Sequence, residues 1–135
     1  MSLKKILVID DHPMMHRELE KVLKSYGFHF VGAFDAVSGL RMAKDEQPDL
    51  ILLDIKLSQI DGKQVAKSLK SSSETKDIPI IFMTVTLSKK DDGVNQKIDV
   101  DGISYQAFAK PLNYLETIKY IQNVLSINQK ENPSP

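Results

Sequence analysis

Three acidic residues stand at the ends of aliphatic runs, where a buried core would reject their charge. Asp10 and Asp11 directly follow the run ILVI (6–9), and Asp54 lies near the end of the run LILLDI (50–55). If the fold brings them together they need a cation, because like charges about 4 Å apart repel by roughly 4 kcal/mol at an effective dielectric constant of about 20. Oxygen ligands without sulfur or a well-placed imidazole predict Mg²⁺, with Mn²⁺ as the second choice.

Two further polar residues follow later aliphatic runs. Thr84 closes IPIIFMT (78–84), and Lys110 comes directly after GISYQAFA (102–109). An amine and a metal ion together neutralise the oxygens of a phosphoryl group during in-line transfer, and Asp54 can then attack phosphorus as a nucleophile. The predicted chemistry is therefore phosphoryl transfer that leaves an aspartyl phosphate.

These side chains converge only if the runs are neighbouring strands of one sheet. Short aliphatic runs alternate with longer amphipathic segments, which predicts strands within 6–9, 28–34, 50–55, 78–84 and 102–109. This alternation favours an α/β fold with a doubly wound parallel sheet and helices on both faces, since parallel neighbours need crossover connections. Ligands bind such a sheet at the carboxyl ends of its strands, where the strand order reverses. With the order 2-1-3-4-5, Asp54 lies beside Asp10 and Asp11.

Apolar residues at helical spacing predict the helices that cover this sheet. The first helix ends at Gly27 and presents one stripe, formed by Met15, Leu19, Val22, Leu23 and Tyr26. A second helix is predicted over 36–46 and a third over 62–71, with Leu40 and Ala43, then Val65 and Leu69, turned inward. The last follows Pro111, where the repeating residues are Leu115, Ile118, Ile121 and Leu125. Between Leu87 and Asp101 apolar residues are sparse and DDG is a turn signal, so we expect a short or irregular helix there.

Length and composition favour one domain with protein partners. The chain of 135 residues is 41% hydrophobic, and we expect a domain over 1–127 followed by a mobile tail or linker start over 128–135, which has no apolar residue except Pro to bury. Eighteen basic and eighteen acidic residues cancel, which argues against a nucleic-acid or anionic-lipid surface. Zero cysteines exclude disulfides and thiolate sites. The polar start MSLKK and the lack of a long apolar run predict a cytoplasmic protein without a membrane span.

The ordered motifs VIDDHP, LILLDIKLSQIDG, PIIFMT and FAKP resemble those of the receiver domains of two-component response regulators, over roughly 4–127. Asp54 stands eight residues before Gly62 and thirty before Thr84, as in that family. The resemblance implies a flavodoxin-like fold and a phosphohistidine donor, either a sensor histidine kinase or a histidine phosphotransfer protein. It also implies a downstream protein target, no direct contact with nucleic acid or membrane, and leaves a homodimer open.

Residue roles can be carried over where the motifs match. The resemblance implies that Asp54 is the phosphoacceptor, Asp10 and Asp11 the metal-binding pair, Lys110 the phosphate partner and Thr84 the switch hydroxyl. Such a domain signals and is not a metabolic enzyme, because its only chemistry is Mg²⁺-dependent self-phosphorylation and self-dephosphorylation.

Two backbone features are also implied by the resemblance alone. The backbone carbonyl of Lys56 is expected in the metal shell, and the Lys110–Pro111 peptide is expected to be cis. By contrast, His12 and His16 lack a third ligand or a Glu base, so we interpret them as surface residues.

The chain departs from the family pattern near its output side. The family usually has an aromatic residue three places before the lysine, where this chain has Ala107, with Phe108 one place later. Val85 replaces a residue that is commonly small. Without a ring at Ala107, we expect phosphorylation to reorder residues 85–101 instead. These departures favour an alternative function, a docking module that does not depend on phosphorylation, while the complete acid, threonine and lysine set opposes it.

Two other classes fit the residues less well. A phosphohydrolase with an aspartate nucleophile needs Asp-x-Asp after its first strand, whereas here the acids are adjacent and position 12 is His. A flavin-binding protein of the same topology needs a phosphate loop rich in Ser, Thr or Gly, and DDHPMM is not one.

Overall fold

In the part of the chain that the structure describes, the central sheet has six strands. The computed structural model describes residues 3–85 and 96–130, with side chains up to residue 126. The strands are β1 (Lys5–Ile9), β2 (His29–Ala33), β3 (Leu50–Asp54), β4 (Ile80–Thr84), β5 (Gln96–Val100) and β6 (Ile103–Ala109). Their order is β2-β1-β3-β4-β6-β5, and all neighbours are parallel except β5 and β6. The five parallel strands confirm the predicted order 2-1-3-4-5.

The antiparallel edge strand β5 is a correction to the prediction. A short or irregular helix was expected between Leu87 and Asp101, but residues 96–100 alternate between the two faces of the sheet and form a strand. The remaining part of that expectation, within 86–95, lies outside the described residues. Asp101 and Gly102 have φ values of +51° and +83° and connect β5 to β6. A two-residue hairpin turn needs such positive φ values, which Asp-Gly adopts readily.

Four helices cover the sheet in the described residues. Their bounds are α1 (Pro13–Ser25), α2 (Ala36–Glu46), α3 (Gly62–Ser71) and α4 (Tyr114–Lys130). Pro13 occupies the first turn of α1, where its missing N–H costs nothing. At the start of α2, Asp35 Oδ1 accepts a hydrogen bond from Ser38 N at 2.8 Å, and at the start of α3, Asp61 Oδ1 accepts one from Lys63 N at 2.8 Å. These caps satisfy free N–H groups and thereby favour the observed start of α2 and of α3.

Two apolar clusters lie on opposite faces of the sheet. In β1, Ile6 and Val8 belong to one cluster and Leu7 and Ile9 to the other, as expected for alternating side chains. Residues of α1 and α4 complete the first cluster, whereas residues of α2 and α3 complete the second. The fold is therefore doubly wound, as predicted.

Two apolar residues depart from the predicted helix faces. Tyr26 and Leu115 were assigned to buried stripes, but their side chains are exposed by 47% and 52%. Tyr26 follows the last residue of α1, and Leu115 lies in the first turn of α4. At these two helix ends, the apolar stripe is no longer covered by the sheet.

The last helix continues beyond the predicted domain boundary at residue 127. Its bounds are Tyr114–Lys130, so residues 128–130 belong to α4, while residues 131–135 lie outside the described ranges. The division at 127 stays a prediction. Among the residues that the structure describes, no helix is both long enough and apolar enough to cross a membrane.

Candidate functional site

The predicted site residues meet at one edge of the sheet, where β1, β3, β4 and β6 have their carboxyl ends; we call this the carboxyl edge. Asp10 directly follows β1, Asp54 ends β3, Thr84 ends β4 and Lys110 directly follows β6. Asp10 and Thr84 are fully buried and Asp54 is 2% exposed. The strand order therefore places these four residues at the carboxyl edge.

Lys110 joins two of the acids. Its Nζ lies 2.7 Å from Asp10 Oδ2 and 3.1 Å from Asp54 Oδ2. Its backbone N–H donates to the carbonyl of Thr84 at 3.0 Å, which continues the pairing of β6 with β4 past the last strand residue. The Lys110–Pro111 peptide is cis, which confirms that expectation.

The turn after β1 arranges the other carboxylates. Asp10 Oδ1 accepts the backbone N–H of His12 at 2.9 Å. The Nδ1 atom of His12 lies 2.9 Å from Asp10 Oδ1 and 3.1 Å from Asp11 Oδ1. Asp11 Oδ2 accepts a hydrogen bond from Ser58 Oγ at 2.5 Å, so the loop after β3 contacts the turn after β1. His12 is exposed as predicted, but it contacts both acids.

The loop between β3 and α3 approaches the backbone of Asp54 very closely. Asp54 Oδ1 accepts the backbone N–H of Lys56 at 3.2 Å, and Gly62 N donates to the carbonyl of Ile55 at 2.6 Å. A Cβ atom at Gly62 would lie only 2.2 Å from the Asp54 carbonyl oxygen. A glycine is therefore required where α3 begins. Lys56 lies beside Asp54, but the predicted role of its carbonyl in the metal shell stays a prediction.

Burial and charge perturb the acid and the amine at the centre of the site. Burial raises the pKa of Asp54, the nearby Asp10 carboxylate raises it further, and Lys110 opposes both effects. Burial alone would lower the pKa of Lys110, but its hydrogen bond to Asp10 and the charges of Asp10 and Asp54 outweigh burial and raise it. Before any cation binds, Lys110 thus offsets only part of the repulsion between the two carboxylates.

The donor atoms at this edge fit a divalent cation. Ligand atoms of Asp10, Asp11, His12 and Asp54 all lie within 4.8 Å of one another. Three of the four groups are carboxylates, which are the ligands that Mg²⁺ and Mn²⁺ prefer. A cleft of about 370 Å³ gives access to them; its lining includes Asp11, Asp54, Val85 and Lys110.

The output side of the site differs from the family pattern as the sequence indicated. Ala107 is fully buried in the cluster under α2 and α3, whereas Phe108 faces the other side, with its ring 5.7 Å from that of Tyr120. Tyr105 lies on the same side as Ala107, and its ring meets the Phe82 ring edge-on at 5.3 Å. Thus β6 does carry a buried ring on that face, but it stands two residues before Ala107. Most of the segment expected to respond to phosphorylation, 86–95, lies outside the described residues.

Sequence reasoning missed three residues around the site. Ser58 and His12 contact the acids directly, and adjacency to Asp11 was the available signal for His12. His16 was predicted to lie on the surface and is instead 5% exposed, so that prediction was wrong. Its spacing from Leu19 and Leu23, which are three and seven residues later, indicated the buried face of α1.

Comparisons with known proteins place this site in context. The sequence profile of the response regulator receiver domain matches residues 6–122. The polar-differentiation response regulator DivK of Brucella anthropi is 28% identical over 119 residues, which are 86% of this chain and 94% of DivK. Hybrid signal transduction histidine kinase D of Dictyostelium discoideum is 29% identical over 124 residues; the match covers 92% of this chain and only 8% of the kinase.

A solved structure shares the fold. The receiver domain of a sensor histidine kinase from Pseudomonas aeruginosa PAO1 has a magnesium ion coordinated in its active-site cleft. It superposes with a TM-score of 0.76 over 90% of this chain and 97% of that chain, with 23% sequence identity. At this identity the likeness establishes the fold alone.

Proposed function

The chain belongs to the family of response regulator receiver domains, and from this premise we propose that Asp54 accepts a phosphoryl group from a phosphohistidine protein. The observation that carries the proposal is the position of Asp54, whose buried carboxylate lies between Lys110 Nζ and the Lys56 N–H at an open cleft. The donor would be a sensor histidine kinase or a histidine phosphotransfer protein, and the recipient of the signal a downstream protein.

The transfer makes one bond and breaks one. A carboxylate oxygen of Asp54 attacks phosphorus while the bond between phosphorus and the donor imidazole nitrogen breaks, and the imidazole leaves with the electron pair. The Lys110 ammonium group, which already contacts Asp54, would then pair with an oxygen of the transferred group. Thr84 supplies the hydroxyl that responds to phosphate. Later attack by water on phosphorus would release inorganic phosphate and restore the carboxylate.

Three groups of this chain would hold Mg²⁺ directly, namely the carboxylates of Asp11 and Asp54 and the backbone carbonyl of Lys56. The carboxylate of Asp10 would act partly through water, because Mg²⁺ usually keeps several waters and takes one or two carboxylates. The bound ion supplies positive charge to the phosphoryl oxygens. The buried Asp10 would also hold Lys110 in place through their contact at 2.7 Å.

Mass analysis of the intact protein after incubation with acetyl phosphate and Mg²⁺ tests the proposal. Wild-type protein is expected to gain one phosphoryl group, and Asp54→Asn is expected to gain none. Asp45→Asn, a change of the same kind at an exposed position of α2, is the control and should be phosphorylated like wild type. An added group that persists in Asp54→Asn would assign the acceptor elsewhere.

Calorimetric titration with Mg²⁺ tests the metal ligands separately. Binding should be lost in Asp11→Ala, because this change removes a directly coordinating carboxylate. Asp45→Asn should bind Mg²⁺ like wild type. Unchanged affinity in Asp11→Ala would contradict the assignment of Asp11.

A docking module that works without phosphorylation is the second candidate. It is favoured by the small Ala107 at the place of the usual switch aromatic and by Val85, which is 66% exposed at the cleft. The same mass analysis separates the two functions, since a docking module would gain no phosphoryl group in either protein.

A further inference from the structure

His16 takes no part in the phosphoryl transfer described above, but the structure assigns it a role. We propose that His16 is a positioning residue for the metal and phosphoryl site, because its imidazole holds the backbone carbonyl of Asp10. This inference rests on the proposed function, since it concerns how the same carboxylates are held. His16 lies in the first half of α1 and is 5% exposed.

The hydrogen bond has a defined direction. His16 Nε2 lies 2.6 Å from the carbonyl oxygen of Asp10. A carbonyl oxygen can only accept, so Nε2 must carry the hydrogen and donate it. On the other side of the same residue, Asp10 N donates to the carbonyl of Ala33 at 3.1 Å. Both backbone polar groups of Asp10 are therefore fixed, one by β2 and the other by α1.

The fixed carbonyl belongs to the peptide that joins Asp10 to Asp11. Rotation of this peptide would turn both carboxylates, one of which contacts Lys110 while the other accepts from Ser58. Partners that orient metal ligands from outside the coordination shell typically change metal affinity by about 10-fold to 100-fold when they are removed. His16 is placed to act in this way without touching the metal or the phosphoryl group.

Strand β2 provides a space shaped for the imidazole. The His16 ring stacks on Phe34 with centroids 4.1 Å apart and an angle of 29° between the planes, and it meets Phe30 edge-on at 6.0 Å. A Cβ atom at Gly32 would lie 2.6 Å from His16 Nδ1, so only glycine leaves room for the ring. The ring is thus held on three sides while Nε2 points at Asp10.

A purely structural role explains this arrangement poorly. The Nδ1 atom of His16 is buried without a hydrogen-bond partner among the described residues, and a buried polar atom in that state costs free energy. Leucine at this position of the α1 stripe would bury its side chain without such a cost. Among the described residues, the one hydrogen bond of the His16 side chain is the bond to the Asp10 carbonyl.

The test compares Mg²⁺ affinity, measured by calorimetry, in two His16 variants. His16→Leu removes the donor and should weaken Mg²⁺ binding by about 10-fold or more. His16→Gln can place an amide N–H near the position of Nε2 and should stay within about 3-fold of wild type, a rescue that packing alone would not give. Leu19→Ala is the matched control, since it destabilises the same helix one turn later and should leave Mg²⁺ affinity unchanged.

A second variant covers the case in which His16→Leu does not fold. Gly32→Ala pushes the ring from its place without removing the imidazole, and it should also weaken Mg²⁺ binding. Equal Mg²⁺ affinity in wild type, His16→Leu and Gly32→Ala would overturn the inference. So would a loss in Leu19→Ala as large as that in His16→Leu.

Failure of the inference can be told apart from failure of the proposed function. If wild type is phosphorylated on Asp54 but His16→Leu binds Mg²⁺ like wild type, the positioning role is wrong and the function stands. If wild type binds Mg²⁺ and His16→Leu binds it more weakly, but Asp54 is never phosphorylated, the positioning role stands and the function is wrong.

Discussion

The carboxyl edge and the hairpin formed by β5 and β6 are stabilised in different ways. Every residue of β3 and β4 is buried, and the side chains at the carboxyl edge are held by partners from distant parts of the chain, such as Lys110 on Asp10. In the hairpin, β5 alternates between buried and exposed residues, and a two-residue turn sets the pairing with β6. The edge therefore depends on packing between distant segments, whereas the hairpin depends on local backbone conformation.

This difference explains how the carboxyl edge can keep the residues of the family pattern while the segment beside it departs from that pattern. Lys110 is placed by the parallel pairing of β6 with β4, which includes the pair Thr84 and Ala109. The Asp54 side chain accepts hydrogen bonds from Lys110 and Lys56, and neither of these donors belongs to β5. An antiparallel strand can therefore stand at the sheet edge without disturbing the carboxylates.

The largest expected effect comes from a Gly→Ala substitution beside the carboxyl edge, and the same substitution in the hairpin is its comparison. Gly62→Ala places a Cβ atom 2.2 Å from the backbone of Asp54, so α3 or the loop before it must move. We expect a loss of about 3 kcal/mol or more in unfolding free energy, together with weaker Mg²⁺ binding. Gly102→Ala meets no atom within 4 Å and is strained only by its φ of +83°, which predicts a cost of about 1–2 kcal/mol and unchanged Mg²⁺ binding.

Urea denaturation and Mg²⁺ titration measure both effects. The comparison fails if the two substitutions destabilise the protein equally, or if Gly102→Ala weakens Mg²⁺ binding as much as Gly62→Ala does.

A smaller effect is expected where the hairpin meets the rest of the sheet. Ala107 is fully buried and pairs with Phe82 of β4 and Gln96 of β5. Restoring an aromatic residue through Ala107→Tyr overpacks this position and should cost about 1–3 kcal/mol. Phosphorylation of the folded protein on Asp54 should persist, because the side-chain contacts of Asp54 and Lys110 are not changed.

Ser104→Tyr is the matched control for that substitution, since residue 104 lies on the same strand and is exposed. It should change the unfolding free energy by less than about 0.5 kcal/mol. Loss of phosphorylation in folded Ala107→Tyr would mean that the hairpin side and the carboxyl edge are coupled more tightly than their contacts indicate.

The smallest expected effect is a gain in stability, whereas the preceding substitutions are expected to reduce stability. The pKa of Asp54 is raised in the folded state by burial and by Asp10, so its ionised form destabilises the fold at pH values above the unfolded pKa. Asp54→Asn removes this cost and should raise Tm at pH 7 in the absence of divalent metal. The gain in Tm should shrink as the pH falls through the folded-state pKa of Asp54 towards its unfolded-state pKa. In that range the Asp54 carboxylate of folded wild type becomes protonated and loses its charge.

Thermal unfolding in EDTA at several pH values checks this prediction. Asp99→Asn, at an exposed position of β5, should show no comparable rise. A lower Tm for Asp54→Asn at pH 7 would mean that the contacts of Asp54 with Lys110 and Lys56 outweigh the repulsion from Asp10.

The hairpin could have been predicted from local sequence, because Asp101-Gly102 between alternating residues is a strong turn signal. A short or irregular helix was predicted here instead, because DDG is an earlier turn signal and parallel strands are usually connected through a helix. The alternation of 96–100 has a period of two residues, which suits a strand and not a helix.

The sequence by itself determined which residues stand at the carboxyl ends of the parallel strands. Aliphatic runs that end in Asp10, Asp54, Thr84 and Lys110 specify these positions, because strand periodicity and the location of strand ends are local properties.

Only the tertiary structure decided which side chains hold those residues in place. His16 follows Asp10 by six residues, and Gly32 follows it by twenty-two, yet the ring of His16 fills the space above Gly32 and donates to Asp10. Ser58 meets Asp11 across forty-seven residues. Such contacts depend on how closely α1, β2 and the loop after β3 pack, and that distance is set by the volumes of side chains far apart in the chain, which no local pattern records.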